Sequence, residues 1–461
     1  MKKKITVGVI VVILIAGLFF PVYNLLVPLA PTALAKVKTG EALADRAVAI
    51  LEQKCAICHT RTDVTLPFYA MFPIAKQLTR YDIETGTKHV SFSREFMPEE
   101  EGVPVSEATL AKVEYVLADG SMPPLRYLIL HWNHGLTADE KQALLAWTRK
   151  TRAEKHASAG VPDNLKEDIL RPLPDSLPVD TAKAALGDKL FHDVRLSKDN
   201  TVSCASCHDL AKGGTDQAQF ATGVGGQMGD INSPTVFNSA FNVRQFWDGR
   251  AADLQEQADG PVNNPIEMAS NWQEVTDKLN QDPEFTQAFL AAYPDGYTKQ
   301  NFTHAIAEFE KTLLTPSAYD RYLMGDQNAL TDAQKRGLMA FKQAGCANCH
   351  CGEALGGRSF EIMGLRGDYY AERGKGTSKP DYGRVNATNR EEDRFRLKVP
   401  VLRNIALTHP YFHDGTVTDL ENAVDIMSRH QTARPLTQAQ VKDVVEFLKA
   451  LTGEFRGQPL Q

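Results

Sequence analysis

The sequence lacks an excess of positive charge. Its 51 Lys and Arg stand against 57 Asp and Glu, a formal net charge of −6 over 461 residues. That balance offers no basic face to a nucleic-acid partner. Cysteine is scarce, and almost all of it is committed. Six of the seven cysteines fall in three C-x-x-C-H units, Cys55–Cys58–His59, Cys204–Cys207–His208 and Cys346–Cys349–His350, which leaves only Cys351. This excludes a disulfide framework. No second cysteine or histidine pair stands at the short spacing of a zinc site. Strand signals are weak throughout. Histidine is missing altogether from residues 209–266, the stretch that follows the second unit. What remains is ordinary globular composition, 43% hydrophobic and 23% charged, in a length suited to about three domains.

C-x-x-C-H is the attachment signature of c-type haem. Two thiols form thioethers with the haem vinyl groups, and the adjacent histidine becomes the proximal iron ligand. Three occurrences therefore predict three covalently bound haems c, held by Cys55 and Cys58, Cys204 and Cys207, and Cys346 and Cys349. His59, His208 and His350 are the proximal ligands. Cys351 reads as a small buried residue or a free thiol.

The chain opens "MKKKITVGVIVVILIAGLFFPVYNLL". Three lysines precede an apolar run from Ile5 to Phe20 that extends to Tyr23, about the length needed to cross a ~30 Å hydrocarbon core. The lysines predict a cytoplasmic start. The expectation is a single-pass inner-membrane anchor over 1–30 with the haem domains in the periplasm. The rival is a cleaved signal sequence with Ala33-Leu34-Ala35 as its site.

Helical context surrounds the attachment units. "EALADRAVAILEQK" before the first places Leu43, Ala47, Ile50 and Leu51 at helical spacing. "LTDAQKRGLMAFKQAG" before the third carries a Thr331–Gln334 capping box and a Leu338–Phe341 stripe. Helices starting at Thr137 (with Glu140) and Thr437 (with Gln440) close units. The expected fold is mainly α, three cytochrome c-like haem domains with long loops preceded by one transmembrane helix. Its parts are a monohaem domain over 31–155, a Pro-rich polar linker over 156–180, a second haem domain over 181–330 and a third over 331–461. Residues 352–396 read as an irregular surface excursion.

Six-coordinate haem moves electrons, whereas haem with one open face binds small ligands, so the second axial ligand is the functional variable. In the first unit Met122, in "GSMPPLRY", is the candidate, with His131 and His134 as rivals. In the third, Met427 and His413 compete, and Met427 is as readily a core methionine. In the middle unit Met228 sits in a polar loop and no histidine is available, which leaves an open iron. Glu267 follows, in "GPVNNPIEMAS". A carboxylate there suits peroxide chemistry, which needs a group to take a proton from one peroxide oxygen and hand it to the other. Taken alone, Glu267 also reads as a surface or helix-capping residue.

From about 180 to 455 the sequence resembles the bacterial dihaem cytochrome c peroxidases. The resemblance rests on "LGDKLFHDVRLS", "SCASCH", "NSPTVFN", "QFWDGRAADLQEQADGPVNNPIEM", "AIAEFEKTLLTP", "GCANCHCG", "VPVLRNIALTHPYFHDGTV" and "LTGE". It implies that the haem at His208 is peroxidatic and that the haem at His350 transfers electrons, with Met427 as its distal ligand. Glu267 matches the acid–base glutamate, Gln257 the glutamine beside it, and Trp247 the tryptophan between the haems. Asn232, Thr408 and Pro410 match the ligands of a bound Ca2+. Many members carry a histidine in the loop after the first of these haems; here the matching residue is Val224, which cannot bind iron. The amino-terminal haem domain and the apolar segment resemble the trihaem, membrane-anchored quinol peroxidases.

The reading is an oxidoreductase that reduces hydrogen peroxide to water. Its electrons come from membrane quinol or a small soluble cytochrome c through the haems at His59 and His350. A homodimer is compatible with it. Two alternatives stand beside it. One is a multihaem electron-transfer cytochrome without peroxidase activity. The other is a dihaem oxidase that modifies a partner protein, a family that carries tyrosine where Met427 stands.

Overall fold

Thr137, Thr331 and Thr437 each start a helix by the same exchange of hydrogen bonds. Thr331 N donates to Gln334 Oε1 at 2.9 Å, and Gln334 N donates back to Thr331 Oγ1 at 3.3 Å. Thr437 and Gln440 repeat the exchange, as do Thr137 and Glu140. Each box satisfies amide groups that a helix start leaves without partners. The computed structural model describes residues 17–61, 64–98 and 103–461. These form two compact units that divide between Lys155 and His156. Both are mainly helical, as the sequence leads one to expect.

In the first unit the helices Ala42–Lys54, Glu107–Asp119 and Ala138–Lys155 bury Ala47, Leu51, Leu110, Leu144 and Trp147 against one another. The attachment helix Ala56–His59 lies on the helix Pro73–His89 at Gly86, where a Cβ would stand 2.5 Å from the Cys58 carbonyl oxygen. Arg152, fully buried, pairs with Glu114 at 2.8 Å.

The second unit is built twice over. The helix Thr181–Phe191 packs on Lys299–Glu310, and the helix Asp332–Gln343 packs on Gln438–Lys449. A glycine makes each close approach possible. A Cβ on Gly187 would meet Ala305 O at 1.9 Å and Phe309 Cβ at 2.8 Å, and one on Gly337 would meet Asp443 O at 1.9 Å and Phe447 Cβ at 2.8 Å. Phe309 and Phe447 are both buried, each contributing about 1.5–3 kcal/mol by its removal from water. The strands Phe360–Ile362 and Arg396–Lys398 pair antiparallel, with Phe360 opposite Lys398.

Several expectations need correction. The fold is not three cytochrome-like domains behind a membrane helix. The second and third attachment motifs share one unit, and no described helix is long and apolar enough to cross a membrane. The inner-membrane anchor and the single-pass placement therefore have no support. Residues 1–16, which include most of the apolar run that starts at Ile5, lie outside the described residues. The described helix over 17–26 spans about 15 Å at 1.5 Å per residue. Leu34 of Ala33-Leu34-Ala35 is wholly buried in the first core, and Thr32 bonds Glu52 through its amide and its hydroxyl. The stretch 156–180 is bonded to the body of the second unit. Arg171 and Glu353, both fully buried, pair at 3.1 Å, Ser158 N donates to Glu353 Oε1 at 2.8 Å, and Leu173 N donates to Asp320 Oδ1 at 2.8 Å. The Arg171 and Arg358 guanidiniums outweigh burial and hold the Glu353 carboxyl down at about 2.

Candidate active site

The three attachment histidines share one local arrangement. His59 Nδ1 donates to Val90 O at 3.0 Å, His208 Nδ1 to Gly214 O at 3.3 Å and His350 Nδ1 to Leu355 O at 3.2 Å. A backbone carbonyl therefore fixes the tautomer and leaves Nε2 as the ligating nitrogen. Burial lowers all three imidazoles, His350 to about 4, so each stays neutral and able to ligate. Burial also pushes the thiols of Cys55, Cys204 and Cys346 up to about 12. A redox dithiol needs a lowered thiol pKa instead.

Cys204, Cys207 and His208 line a cavity whose wall also holds Gln257, Glu267, Phe246, Trp247 and Glu310. The helix Leu254–Asn263 starts at Asp253, whose carboxylate accepts from Glu256 N at 2.8 Å, and presents Gln257. The turn after that helix presents Glu267. Burial raises the Glu267 carboxyl above its ordinary value against the opposing pull of Asn264, whose Nδ2 donates to Glu267 Oε1 at 2.6 Å. The glycine-rich loop of the sequence packs on this turn. Val224 N donates to Glu267 O at 2.8 Å, and a Cβ on Gly223 would meet Ile266 O at 2.1 Å. Val224 itself is buried in the core with Ala258, Val262 and Met268. Met228 is 64% exposed. Met268 lines the cavity from that same core.

Trp247 is held by a tight loop. Gln245 N donates to Ala251 O at 2.9 Å and closes it, Phe246 takes φ +67°, and Gly249 takes φ +71°. A positive φ at a bulky residue is unfavourable and persists only where surroundings fix it; here the Arg250 guanidinium covers the Phe246 ring at 3.5 Å. The indole Nε1 donates to Asn232 O at 2.9 Å. Trp247 lines the cavity at His208 and also the one at His350.

The His350 cavity is largely apolar and holds Cys346, Cys349 and Met427, the latter on the helix Leu420–Gln431. Asn232, Thr408 and Pro410 line it as well. The first two bring amide and hydroxyl oxygens and all three bring backbone carbonyls, a donor set suited to Ca2+. His413 is buried beside Trp247 with ring centroids 6.2 Å apart, and its Nε2 bonds Asp381 Oδ1 at 2.7 Å. Among the described residues Asp381, His413 and Asp414 converge as a metal site would. Arg373 already fills the place of a cation there, with Nη1 at 2.7 Å from Asp381 and 2.6 Å from Asp414.

In the first unit His131 uses both nitrogens, Nδ1 on Tyr127 O at 2.9 Å and Nε2 on Tyr69 Oη at 2.9 Å. His134 bonds Asn133 Oδ1 through Nδ1 at 2.8 Å. Met122 is 39% exposed in its proline turn.

Haem fits these places by two further signs. Tyr127 Oη in the first unit and Glu310 Oε2 at the His208 cavity are buried without hydrogen-bond partners among the described residues. Such atoms call for a polar group that the protein does not supply, and the propionates of a bound haem would supply one.

The sequence reading missed Glu310, Lys398 and the role of His413. A signal for the last was present. "NSAFNVRQFWDG" at 238–249 and "NIALTHPYFHDG" at 404–415 match at a spacing of 166 residues. Asn238 and Asn404 both have positive φ, as do Phe246 and Phe412, and both asparagines donate to Thr315 Oγ1, at 2.8 and 2.9 Å. His413 is thus the counterpart of Trp247.

Comparison with known proteins agrees with this geometry. A model of the di-haem cytochrome c peroxidase family matches residues 181–328, and one described as a haem-binding domain matches 13–150. The chain is 49% identical over 407 residues to the cytochrome c peroxidase Ccp of Escherichia coli (strain K12), covering 88% of this chain and 86% of that one. It is 45% identical over 300 residues to the cytochrome c551 peroxidase of Nitrosomonas europaea, covering 65% and 87%. A crystal structure of a MauG-like protein associated with microbial copper homeostasis superposes with a TM-score of 0.54 at 29% identity, over 61% of this chain and 93% of that one.

Proposed function

The chain belongs to the di-haem cytochrome c peroxidase family, and from that premise we propose that it reduces hydrogen peroxide to water at the cavity beside His208. The reaction takes up two electrons and two protons and gives two waters. One observation carries the reading. The cavity that holds His208 is walled by a half-buried carboxylate, Glu267, while the loop residue that could have capped it is a valine facing the core. Haem at His208, when bound, supplies the redox-active iron.

The chain's own residues supply the rest. Glu267 has one oxygen held by Asn264, and the other is available for a proton. As a carboxylate it accepts a proton from the near oxygen of peroxide and returns it to the departing one, so the O–O bond breaks heterolytically. Burial raises its affinity for the proton above that of an ordinary carboxylate, which favours its holding the proton between the two transfers. Gln257 orients the peroxide through its amide. Trp247, which walls both cavities, would carry electrons between them, and Cys346, Cys349, His350 and Met427 would hold the haem that supplies those electrons. Asn232, Thr408 and Pro410 would hold a Ca2+ beside Trp247 and fix its loop.

We assign a third haem to Cys55, Cys58 and His59, whose iron Met122 would also hold, and make this site the entry point for electrons. The donor that fits the family is a small cytochrome c. A lipophilic quinol is the second reading, favoured by Met71, Ile74 and Leu125, each about three-quarters exposed. Peroxide turnover driven by reduced cytochrome c and, separately, by a soluble quinol tests the assignment. Turnover with either donor that is lost in Glu267→Gln supports it, and undiminished turnover in that variant overturns it.

A further inference from the structure

Lys398 ends the strand Arg396–Lys398, opposite Phe360, and its amide donates to Trp247 O at 2.8 Å. It is 5% exposed and lines both the cavity at His208 and the cavity at His350. Among the described residues its ammonium has no hydrogen bond and no ion pair. The nearest influence of opposite sign is Asp248, whose carboxylate is engaged by Arg250 Nη1 at 3.1 and 3.2 Å. A buried ammonium without a counter-charge is a costly arrangement that proteins rarely keep. The backbone gives it no escape, since strand pairing and the bond to Trp247 fix the residue between the two cavities. Two cavities that each receive a haem also receive its propionate carboxylates, and none of the carboxylates that line them, Glu267, Glu310 and Glu361 among them, is paired with the Lys398 ammonium.

We infer that Lys398 is the shared counter-charge of the two haems, its ammonium pairing with propionate carboxylates of the haem at His208 and of the haem at His350. The inference rests on the reading that both motifs of the second unit carry haem. A positive charge held beside a haem favours the ferrous over the ferric state, so Lys398 raises both reduction potentials. It also places one charge where each centre feels it, next to the tryptophan that walls both cavities. Burial lowers the lysine's own pKa to about 7 when no anion is beside it, and paired propionates restore the charged form.

The test uses the full-length holoprotein and its variants K398Q and K398R, with haem content fixed by pyridine haemochrome assay. Spectroelectrochemical titration is expected to show both potentials lower in K398Q, each by about a tenfold change in the reduction equilibrium, ~59 mV for one electron. K398R is expected to stay near the wild type. If either potential in K398Q equals that of the wild type, the shared pairing is wrong. Should K398Q fail to mature, resonance Raman spectroscopy of the wild type decides the matter. Propionate bending bands characteristic of ion-paired carboxylates at both haems uphold the inference, and bands of free carboxylates at either one overturn it. Unchanged potentials with normal peroxide turnover sink this inference alone. A fully haem-loaded protein that turns over no peroxide sinks the peroxidase reading and leaves these measurements standing.

Discussion

At the scale of single residues, two of the carboxylates that line the His208 cavity, Glu267 and Glu310, differ in environment. Glu267 keeps one hydrogen bond, from Asn264, whereas Glu310 has an oxygen with none. Replacing Glu267 by Gln removes the proton acceptor and keeps the shape, so peroxide turnover should fall by about 10²-fold or more with an unchanged Soret spectrum. The wild type should lose activity as pH falls through the raised Glu267 pKa, above the ordinary 4.5, because the acid form cannot accept a proton. A profile whose acid limb survives in Glu267→Gln would assign that limb elsewhere. Burial alone raises Glu310 from 4.5 to about 8. Its folded pKa exceeds its unfolded one, so its contribution to stability is fully present below about 4.5 and is lost as pH rises towards 8. Denaturant titrations of the wild type from pH 5 to pH 8, about the range of that shift, should show falling stability, and Glu310→Gln should flatten the fall. The sequence could not separate Glu310 from Glu308, two residues away. Both are 5% exposed, but Glu308 meets Lys311 and the Asp180 amide while Glu310 turns to the cavity. Glu267 was legible because a long motif surrounds it.

At the scale of elements, each half of the second unit depends on a glycine that lets one helix backbone touch another. Gly187→Ala and Gly337→Ala each drive a Cβ to within 1.9 Å of a carbonyl oxygen. Overpacking of this kind costs about 1–3 kcal/mol or more, so each variant should unfold at a lower temperature by calorimetry. Equal melting temperatures would show that the pairs separate without penalty. Helix starts were easily read, since Thr137, Thr331 and Thr437 announce themselves by a local pattern. The doubled Asn-to-Gly loops were not, because Asn238–Gly249 and Asn404–Gly415 are irregular and lack a hydrophobic period. Their likeness emerges as shared positive φ angles at Asn238 and Asn404 and at Phe246 and Phe412. The apolar run at the amino terminus misled for a related reason. Hydrophobicity measures what a segment avoids, and the described part, 17–26, sets Phe20 and Tyr23 against Phe68 and leaves Asn24 bonding Leu130 O.

At the scale of the whole molecule, three attachment motifs, two cavities and one pair of apposed rings divide the work. The motifs were plain from spacing, and so was the mainly helical character. The gathering of the second and third motifs into one unit, with Trp247 walling both cavities, needed the fold. If electrons enter at His59, the double variant C55A/C58A should lose turnover driven by cytochrome c or quinol while a small reducing dye still drives it. Loss of dye-driven turnover as well would mean that the first haem serves more than entry.

The central claim is that the haem at His208 has one face without a protein ligand before any reduction. A low-temperature EPR spectrum of the fully oxidised holoprotein tests it most directly. The account predicts a high-spin ferric signal from one haem beside low-spin signals from those with two protein ligands. A spectrum in which every ferric haem is low-spin would contradict it.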